Sequence, residues 1–349
     1  VLPSGEKIKE TTLKGARSLG MLCSEKEIGL SEDHSGIAEF PLDAPIGVSI
    51  YEYLNLKDYI IDVDLTPNRG DCLSILGIAR EVGFINGIDI KRPDFSWPEP
   101  KVPAKKEVEL VCFSDCPKYV GQVLKGIDGN ASTPIWMKEK LRRAGMRSVD
   151  PVVDVTNYVM LELGQPLHAY DFDKLEGKIS VRKSTEPEKL RLLDGNEITV
   201  EQGSVLITDE AGPIGLAGIM GGQRTSVSAS TGSVFLESAF FLPISLSGKA
   251  RAHGLSTDAS HRFERGVDWE GQELALARAI QLLQEIAGGE AGPVTKKLNT
   301  ENLPKARTVK LRQAQIERVL GISVEKSKVE SIFSRLGFVA KFQELSESR

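Results

Sequence analysis

The stretch that decides the fold is VFLESAFF, residues 234–241. Apolar and aromatic side chains fill nearly all of it, which is typical of a buried strand. Because side chains alternate across a strand, one face would carry Val234, Leu236 and Ser238, and the other Phe235, Glu237 and Ala239. Burying a carboxylate without a partner is costly. We therefore predict that Glu237 recognises a ligand in a polar pocket, with a position at a domain edge as the alternative.

Two hairpin signals precede this strand. KLRLLDGNEITV, residues 189–200, places Asp194-Gly195 between alternating runs and predicts a tight hairpin. SVLITDEAGPIGLAGIMGG, residues 204–222, predicts a second hairpin that ends in a glycine turn. This turn lacks the strand–GxGxxG–helix order and the distal acid of a dinucleotide site. It is either a plain hairpin turn or one whose glycines let a substrate approach the backbone.

Helical signals flank the strands. Thr133 is the predicted N-cap, with Pro134 at the first helical position, of a helix over IWMKEKLRRAG. A second helix is predicted where Leu276, Ile280, Leu283 and Ala287 repeat at helical spacing as a core stripe, and Gly288-Gly289 ends it. Strands and helices of these lengths predict a large mixed domain. The proline-rich residues 92–106 predict a linker before it.

The two ends of the chain have weaker patterns. Residues 1–54 hold glycine-punctuated segments, including EKEIGL and SGIAEF, that predict short strands. Ile60, Ile61 and Val63 suggest a further strand. A helix is predicted from Cys72 to Phe84, with Asp71 as its N-cap and Gly87 just past its end. Residues 311–338 predict two short helices, the second capped by Ser323, and an ordinary helical hairpin is preferred over a DNA-binding one.

Composition excludes several protein classes. The chain has 349 residues, enough for two or three domains, with 40% hydrophobic and 27% charged residues. No apolar run approaches the roughly 20 residues of a membrane span. Four cysteines are too few for a disulfide framework, and Cys112 and Cys116 have no second ligand pair at zinc spacing. We predict reduced thiols, no metal site and a cytoplasmic protein.

Charge and familiar motifs leave the function open. The net charge of −5 argues against sequence-independent nucleic-acid binding. Two segments are nevertheless basic, and each is either a solvated face or a surface that contacts phosphate. Their residues are Lys138, Lys140, Arg142, Arg143 and Arg147 in the first, and Lys249, Arg251, His253, His261, Arg262 and Arg265 in the second. The chain has no P-loop and no GxSxG elbow. His168, as a lone histidine, favours a structural role, and the Ser, His and Asp residues of 255–266 are too close in sequence to favour a triad.

Several long motifs, taken together, identify a family. DVTNYVMLELGQPLHAYDFDKL (154–175), GIMGG (218–222), VFLESAFF (234–241) and ARAHGLSTDASHRFERGVD (250–268) resemble the editing domain of bacterial-type phenylalanyl-tRNA synthetase β subunits. DLTPNRGDCLSILGIAREV (64–82) resembles the small domain before it, and LKGARSLGMLCSEKEIGL (13–30) the end of an OB-type domain. Order and spacing agree over nearly the whole chain, which starts at Val1 in mid-domain and is expected to be an internal portion of that subunit.

The resemblance implies an α+β multidomain protein in four parts. These are the C-terminal part of an OB-type tRNA-binding β domain at residues 1–54, a small α+β domain at 55–93, a large mixed α/β editing domain of the B3/B4 type at 94–303, and the truncated start of a helical α+β domain of the B5 type at 304–349. The family's β subunit helps to make phenylalanyl-tRNA, binds tRNA and hydrolyses tyrosine wrongly attached to tRNA(Phe).

The family's editing pocket can be carried onto matching positions. Glu237 would accept a hydrogen bond from the tyrosine phenol, and Gly221 would bring backbone close to the ligand. His168, Thr156 and Asn157 would surround the aminoacyl ester as the catalytic residues. Thr257, Ala259 and Arg147 would complete the walls, with Arg147 near the tRNA end. Water is the expected nucleophile.

The resemblance also implies partners. The complete enzyme is expected to be an α2β2 tetramer that binds tRNA(Phe) and uses ATP and Mg²⁺, with no residue of this chain assigned to either cofactor and no membrane or DNA partner. The alternative is a non-catalytic tRNA-docking or assembly scaffold of the same synthetase with a degenerate pocket. Retention of Glu237, His168, Gly221 and Thr257 favours the editing hydrolase.

Overall fold

The computed structural model describes residue 2 and residues 5–32, 34–91 and 96–342. Contacts within the chain divide it into two units, residues 1–60 and residues 61–349, and each is described by itself. The described residues of the first unit form one hairpin and one helical turn: β1 (Thr11–Leu13), β2 (Ala16–Ser18) and α1 (Ile50–Tyr53). Lys14 and Gly15 both have positive φ, 49° and 84°, which suits the tight turn between the strands.

Three predicted strands are wrong. Residues 25–30 and 35–40 form turns and irregular backbone, and residues 60–63 are irregular as well. Ile60 and Ile61 are 71% and 81% exposed. β-branched residues favour a strand only where neighbouring strands cover them, and no described strand pairs with these residues.

The second unit opens with a 3₁₀ turn, Gly70–Cys72, followed by α2 (Ile75–Asn86). The prediction of a helix here is confirmed, as is Gly87, which ends it in the left-handed conformation. The predicted cap at Asp71 is wrong. Ser74 caps the helix instead, because its hydroxyl accepts the Gly77 N–H at 3.0 Å.

Most of the second unit is a mixed α/β body, as predicted for this part of the chain. Its strands are β3 (Val108–Leu110), β4 (Lys118–Lys125), β5 (His168–Asp171), β6 (Ile179–Lys183), β7 (Glu188–Arg191), β8 (Glu197–Val200), β9 (Val205–Asp209), β10 (Gly212–Leu216), β11 (Met220–Gly221), β12 (Ser233–Phe240), β13 (Glu290–Ala291) and β14 (Thr295–Leu298). The further helices of the second unit are α3 (Ile135–Arg143), α4 (Pro151–Leu163), α5 (Pro243–Leu246), α6 (Lys249–Ala252), α7 (Asp258–Arg265), α8 (Gln272–Ala287), α9 (Gln313–Leu320) and α10 (Lys326–Arg335).

Two five-stranded sheets organise this body. The first has the order β11–β10–β9–β6–β3 and contains one parallel pair, β3 with β6. In the second, β12 lies between β4 and β5 and is antiparallel to both, while β13 and β14 pair with the other edge of β4. The predicted hairpins are confirmed: Asp194-Gly195 joins β7 to β8, and β9 and β10 form the second hairpin.

β12 is buried along its whole length and contributes to two cores. Val234 and Leu236 pack with residues of α3, α4 and α8. Phe235 and Ala239 pack on the opposite side with residues of the first sheet. The second sheet is therefore the middle of three layers, and the two faces predicted for VFLESAFF are confirmed. The predicted stripe on α8, Leu276, Ile280, Leu283 and Ala287, lies in the helix-side core.

Two further predicted caps in this unit are wrong. Pro134, rather than Thr133, precedes the first helical residue of α3, and the Thr133 hydroxyl donates to Asp154 at 2.6 Å. The two helices predicted near residue 320 are present, but Glu325 precedes the second, and Ser323 donates to Glu317 at 2.8 Å. In both places the hydroxyl donates to a carboxylate, a strong acceptor, and another residue takes the cap position.

Candidate functional site

A cavity of about 70 Å³ lies where β5 and β12 meet the glycine turn of the first sheet and α7. Four of the predicted site residues line it: His168, Gly221, Glu237 and Ala259. The rest of the wall is mostly apolar and consists of segment 215–220 with Pro166, Leu167, Tyr170, Ile207, Phe241 and Phe263. The structure thus brings together residues that are separated by more than 90 positions in the sequence, around a mostly apolar space with few polar groups, as is usual for a ligand site.

Glu237 is buried, with 7% of its surface exposed. The phenols of Tyr119 and Tyr170 both donate to its Oε2, each at 2.8 Å. Burial raises the pKa of Glu237 to about 7, and these two hydrogen bonds oppose the rise because they stabilise the charged form. The cavity therefore presents a carboxyl group that is poised between its two protonation states near neutral pH.

His168 lies directly opposite Glu237 in the pairing of β5 with β12. Its ring packs edge-on against Tyr170, with centroids 4.4 Å apart, and its Nε2 is buried without a hydrogen-bond partner among the described residues. Burial lowers the pKa of His168 to about 4. The imidazole is therefore neutral at physiological pH and places no cation beside Glu237.

Gly221 is required by the His168 ring. A Cβ at position 221 would lie 2.2 Å from Cε1 and 2.5 Å from Nε2 of His168, much closer than carbon atoms tolerate. The close approach that this glycine permits is thus between the backbone of β11 and the imidazole. The predicted approach of backbone to ligand stays a prediction.

Gly221→Ala is expected to displace His168 and to destabilise the fold by about 1–3 kcal/mol, the usual cost of overpacking. Gly232→Ala is the matched control, because its Cβ would have no atom within 4 Å. Urea unfolding of both variants measures the difference. Equal unfolding free energies for the two variants would contradict the packing argument.

The pH dependence of stability provides a test of the Glu237 carboxyl. A group whose pKa is raised on folding contributes stability that is fully present below its unfolded pKa and is lost as the pH rises through its folded pKa, here about 7. Glu237→Gln removes this contribution but leaves that of His168 unchanged. The variant is therefore expected to gain stability relative to wild type between about pH 5 and pH 8, by on the order of 2–3 kcal/mol. Urea unfolding across this range measures it, and a flat difference would contradict it.

The remaining predicted site residues have other contacts. Thr257 caps α7 by accepting the Ser260 N–H, and its hydroxyl donates to the carbonyl of Ile219, a cavity residue, at 2.9 Å. Thr156 donates to the Val153 carbonyl within α4. Asn157 also lies on α4, and Arg147 is exposed just before that helix. Thr156, Asn157 and Arg147 are not among the residues that line the cavity.

Comparisons with known proteins find relatives that match nearly the whole chain. A family model described as the B3/4 domain matches residues 115–288. The β subunit of phenylalanine–tRNA ligase from Pseudoalteromonas translucida is 51% identical over 98% of the chain, and the one from Hahella chejuensis is 51% identical over 97%. The chain belongs to the phenylalanine–tRNA ligase β-subunit family. It spans 43% of the length of these relatives.

A solved structure of an N-terminal fragment of the phenylalanyl-tRNA synthetase β subunit from Pyrococcus horikoshii also matches. It aligns over 83% of this chain and 84% of that chain, at 16% identity and a TM-score of 0.40. That similarity is too low for a residue-by-residue comparison of the two folds. Among the residues that the structure describes, no helix is both long and apolar enough to cross a membrane.

The basic segments of this ligase-family chain are partly neutralised. Glu139 pairs with Arg142 and Arg143 on α3. Arg262 is buried and donates to Asp258 and to the Leu73 carbonyl, so it stabilises the protein interior rather than facing phosphate. Exposed cations remain at Lys138, Lys140, Arg147 and Arg251.

Two groups of side chains with metal-ligand chemistry are occupied by contacts within the protein. Asp71, Cys72 and Glu81 lie close together, but Arg69 donates to all three side chains. A guanidinium in that position opposes a divalent cation, so this group does not fit Mg²⁺. Cys112 and Cys116 are buried, and each thiol donates to a backbone carbonyl. Burial raises the pKa of Cys112 to about 11, which keeps it protonated.

The sequence interpretation missed Tyr119 and Tyr170. Tyr170 lies two residues after His168 on a strand, so the alternation rule alone places both on one face. Tyr119 had no such signal. It lies on β4, and only the register of β4 with β12 brings it to Glu237.

Proposed function

We propose that this cavity is an editing site that hydrolyses tyrosine from mischarged tRNA(Phe). The observation that carries the proposal is the Glu237 carboxyl, buried in an apolar cavity and held by two phenols in a chain of this ligase family. A carboxylate oxygen is a strong acceptor for a phenol O–H. Phenylalanine has no such group and would leave one of the two carboxylate oxygens without a hydrogen bond.

The need for such a site follows from the limits of apolar recognition. An apolar pocket that accepts phenylalanine cannot strongly reject an analogue that merely adds a hydroxyl. A second pocket that hydrogen-bonds to that hydroxyl discriminates much better, because the wrong ligand leaves a buried polar group unsatisfied. Glu237 supplies that penalty in the proposed site.

The other residues would handle the ester. Neutral His168 can accept or donate one hydrogen bond to the aminoacyl group or to the attacking water, since its Nε2 has no partner among the described residues. Thr257 fixes the Ile219 carbonyl in the cavity wall, which Ala259 also lines. Thr156 and Asn157 are proposed to reach the ester, and Arg147 the tRNA end.

From family membership we also propose the assembly, the partners and the cofactors of the complete enzyme. The longer β subunit pairs with an α subunit in an α2β2 tetramer in the cytoplasm, binds tRNA(Phe) and takes part in phenylalanyl-tRNA synthesis with ATP and Mg²⁺ that this chain does not bind. The four-part division at residues 54, 93 and 303 into OB-type, small α+β, editing and B5-type domains belongs to the same proposal.

Deacylation of mischarged tRNA tests the editing function. The chain is mixed with tRNA(Phe) carrying labelled tyrosine or labelled phenylalanine, and release of each amino acid is followed over time. Faster release of tyrosine than of phenylalanine, above the rate without protein, is the expected result. No acceleration for either ester would favour the scaffold alternative.

A further inference from the structure

We infer that Tyr119 and Tyr170 are positioning residues that hold Oε2 of Glu237 and so reserve Oε1 for the ligand. The inference rests on the proposed function, since it names what makes Glu237 selective. Both phenols donate to the same oxygen, at 2.8 Å each. Among the described residues, no hydrogen bond reaches Oε1, and this oxygen is not one of the fully buried polar atoms that lack a partner. Oε1 is therefore open to the cavity that Glu237 lines and is available to accept a hydrogen bond from a ligand.

The sheet register explains how two phenols converge on one oxygen. Glu237 lies opposite Gly121 on β4 and opposite His168 on β5. Tyr119 and Tyr170 each lie two residues away from those partners, so both occupy diagonal positions on the same face of the sheet. Diagonal neighbours are within reach of long aromatic side chains. The phenols approach from the two neighbouring strands, which fixes the carboxyl from both sides.

Gly121 makes room for this arrangement. A Cβ at position 121 would lie 2.2 Å from Cζ of Phe235, so the Phe235 ring occupies the space that a side chain would fill. Phe235 in turn stacks on Tyr170, with centroids 6.4 Å apart and planes 26° from parallel. The packing thereby restricts Tyr170 to the orientation in which its hydroxyl meets Glu237.

Both tyrosines remain donors. Burial and the neighbouring Glu237 carboxylate raise the pKa of each phenol well above its ordinary value, so neither loses its proton near neutral pH. The titratable groups around Glu237 carry no positive charge at that pH. They are Tyr119 and Cys116 from the β4 side, His168 and Tyr170 from β5, and Asp209, whose charge contributes to the raised pKa of Tyr170. The two phenols are therefore the groups that favour the ionised carboxyl.

Removing one donor should shift the pH dependence of selectivity. In Tyr119→Phe or Tyr170→Phe, the Glu237 carboxylate loses one hydrogen bond and its pKa rises further. At pH 7 the preference for tyrosyl-tRNA over phenylalanyl-tRNA is expected to fall by roughly 3- to 30-fold. Most of the preference should return near pH 8.5, where Glu237 ionises again. Spontaneous ester hydrolysis is subtracted at each pH.

Tyr158→Phe is the matched control. Tyr158 also donates to a carboxylate, Glu162 at 3.1 Å, but on α4 and outside the cavity wall. It should leave the preference and its pH profile unchanged. A merely structural role for Tyr119 and Tyr170 predicts instead that both esters slow equally, with an unshifted profile, and that outcome overturns the inference.

A second measurement separates this inference from the proposed function. The carboxyl carbon of Glu237 is followed by NMR in the chain labelled with ¹³C-glutamate, with Glu237→Gln used to assign the signal. The titration midpoint should rise in both tyrosine variants and stay fixed in Tyr158→Phe. An unchanged midpoint would refute the positioning role even if the wild-type chain edits. A raised midpoint in a chain that does not deacylate tRNA would refute only the editing proposal.

Discussion

Glu237→Ala is expected to lower discrimination between tyrosyl- and phenylalanyl-tRNA by about 10- to 100-fold. The substitution removes a hydrogen bond between a charged acceptor and the substrate phenol, an interaction that typically contributes roughly 1.5–3 kcal/mol. The ester-handling groups remain, so release of phenylalanine should persist or increase. The loss should therefore appear in selectivity rather than in hydrolysis as such.

The structure adds a stability effect to this prediction. Tyr119 and Tyr170 lose their acceptor in the variant, and a buried hydroxyl left without a partner costs about 1–3 kcal/mol. Glu237→Gln keeps the shape and a neutral acceptor, so its selectivity should lie between those of wild type and Glu237→Ala. Deacylation rates for both esters are measured with thermal midpoints for all three proteins. Unchanged tyrosine preference in folded Glu237→Ala would remove Glu237 from the specificity assignment.

Local sequence patterns predicted the elements in the middle of the chain well, because a single local pattern was enough to predict each of them. Alternation in residues 234–241 predicted both faces of β12, because both faces are covered and a shift by one residue would exchange them. Asp194-Gly195 predicted its hairpin because that dipeptide suits the positive φ of the turn. The α8 stripe followed from helical periodicity alone.

Predictions failed where the outcome depended on a distant partner. Thr133 has the chemistry of a cap, but Asp154, 21 residues later, attracts its hydroxyl. Tyr119 and Glu237 are 118 residues apart, and no local pattern reports the register that joins them. Long-range pairing therefore decides the contacts of Glu237, whereas local pattern decides only that Glu237 shares a strand face with Phe235.

The site could be predicted only in part for the same reason. His168, Gly221, Glu237 and Ala259 were named from motifs, and the structure brings them to one cavity. Burial decides what the motifs cannot, namely that His168 is neutral and that the Glu237 carboxyl titrates near pH 7. Both properties arise from desolvation, which depends on the packed layers around the cavity.

Phe235→Ala is expected to cause a large loss of stability, about 3–5 kcal/mol, because Phe235 is completely buried between the two sheets. Its ring fills the space above Gly121 and stacks on Tyr170, so deletion leaves a cavity whose walls are held by strand pairing and cannot easily collapse. The loss should appear as a lower urea midpoint with an unchanged slope.

Ile244→Ala in the same unit is the control, because Ile244 is 84% exposed and its truncation should change the free energy of unfolding by less than about 0.5 kcal/mol.

The effects of substitutions at Phe235 and Gly121 should also depend on each other, because the Phe235 ring fills the space next to Gly121. Gly121→Ala alone should destabilise, since its Cβ would collide with the Phe235 ring. In the double variant the alanine at 121 has room, so the combined loss should be smaller than the sum of the single losses. Strict additivity would show that the Phe235 ring and Gly121 do not share the packing that fixes Tyr170 and, through it, Glu237.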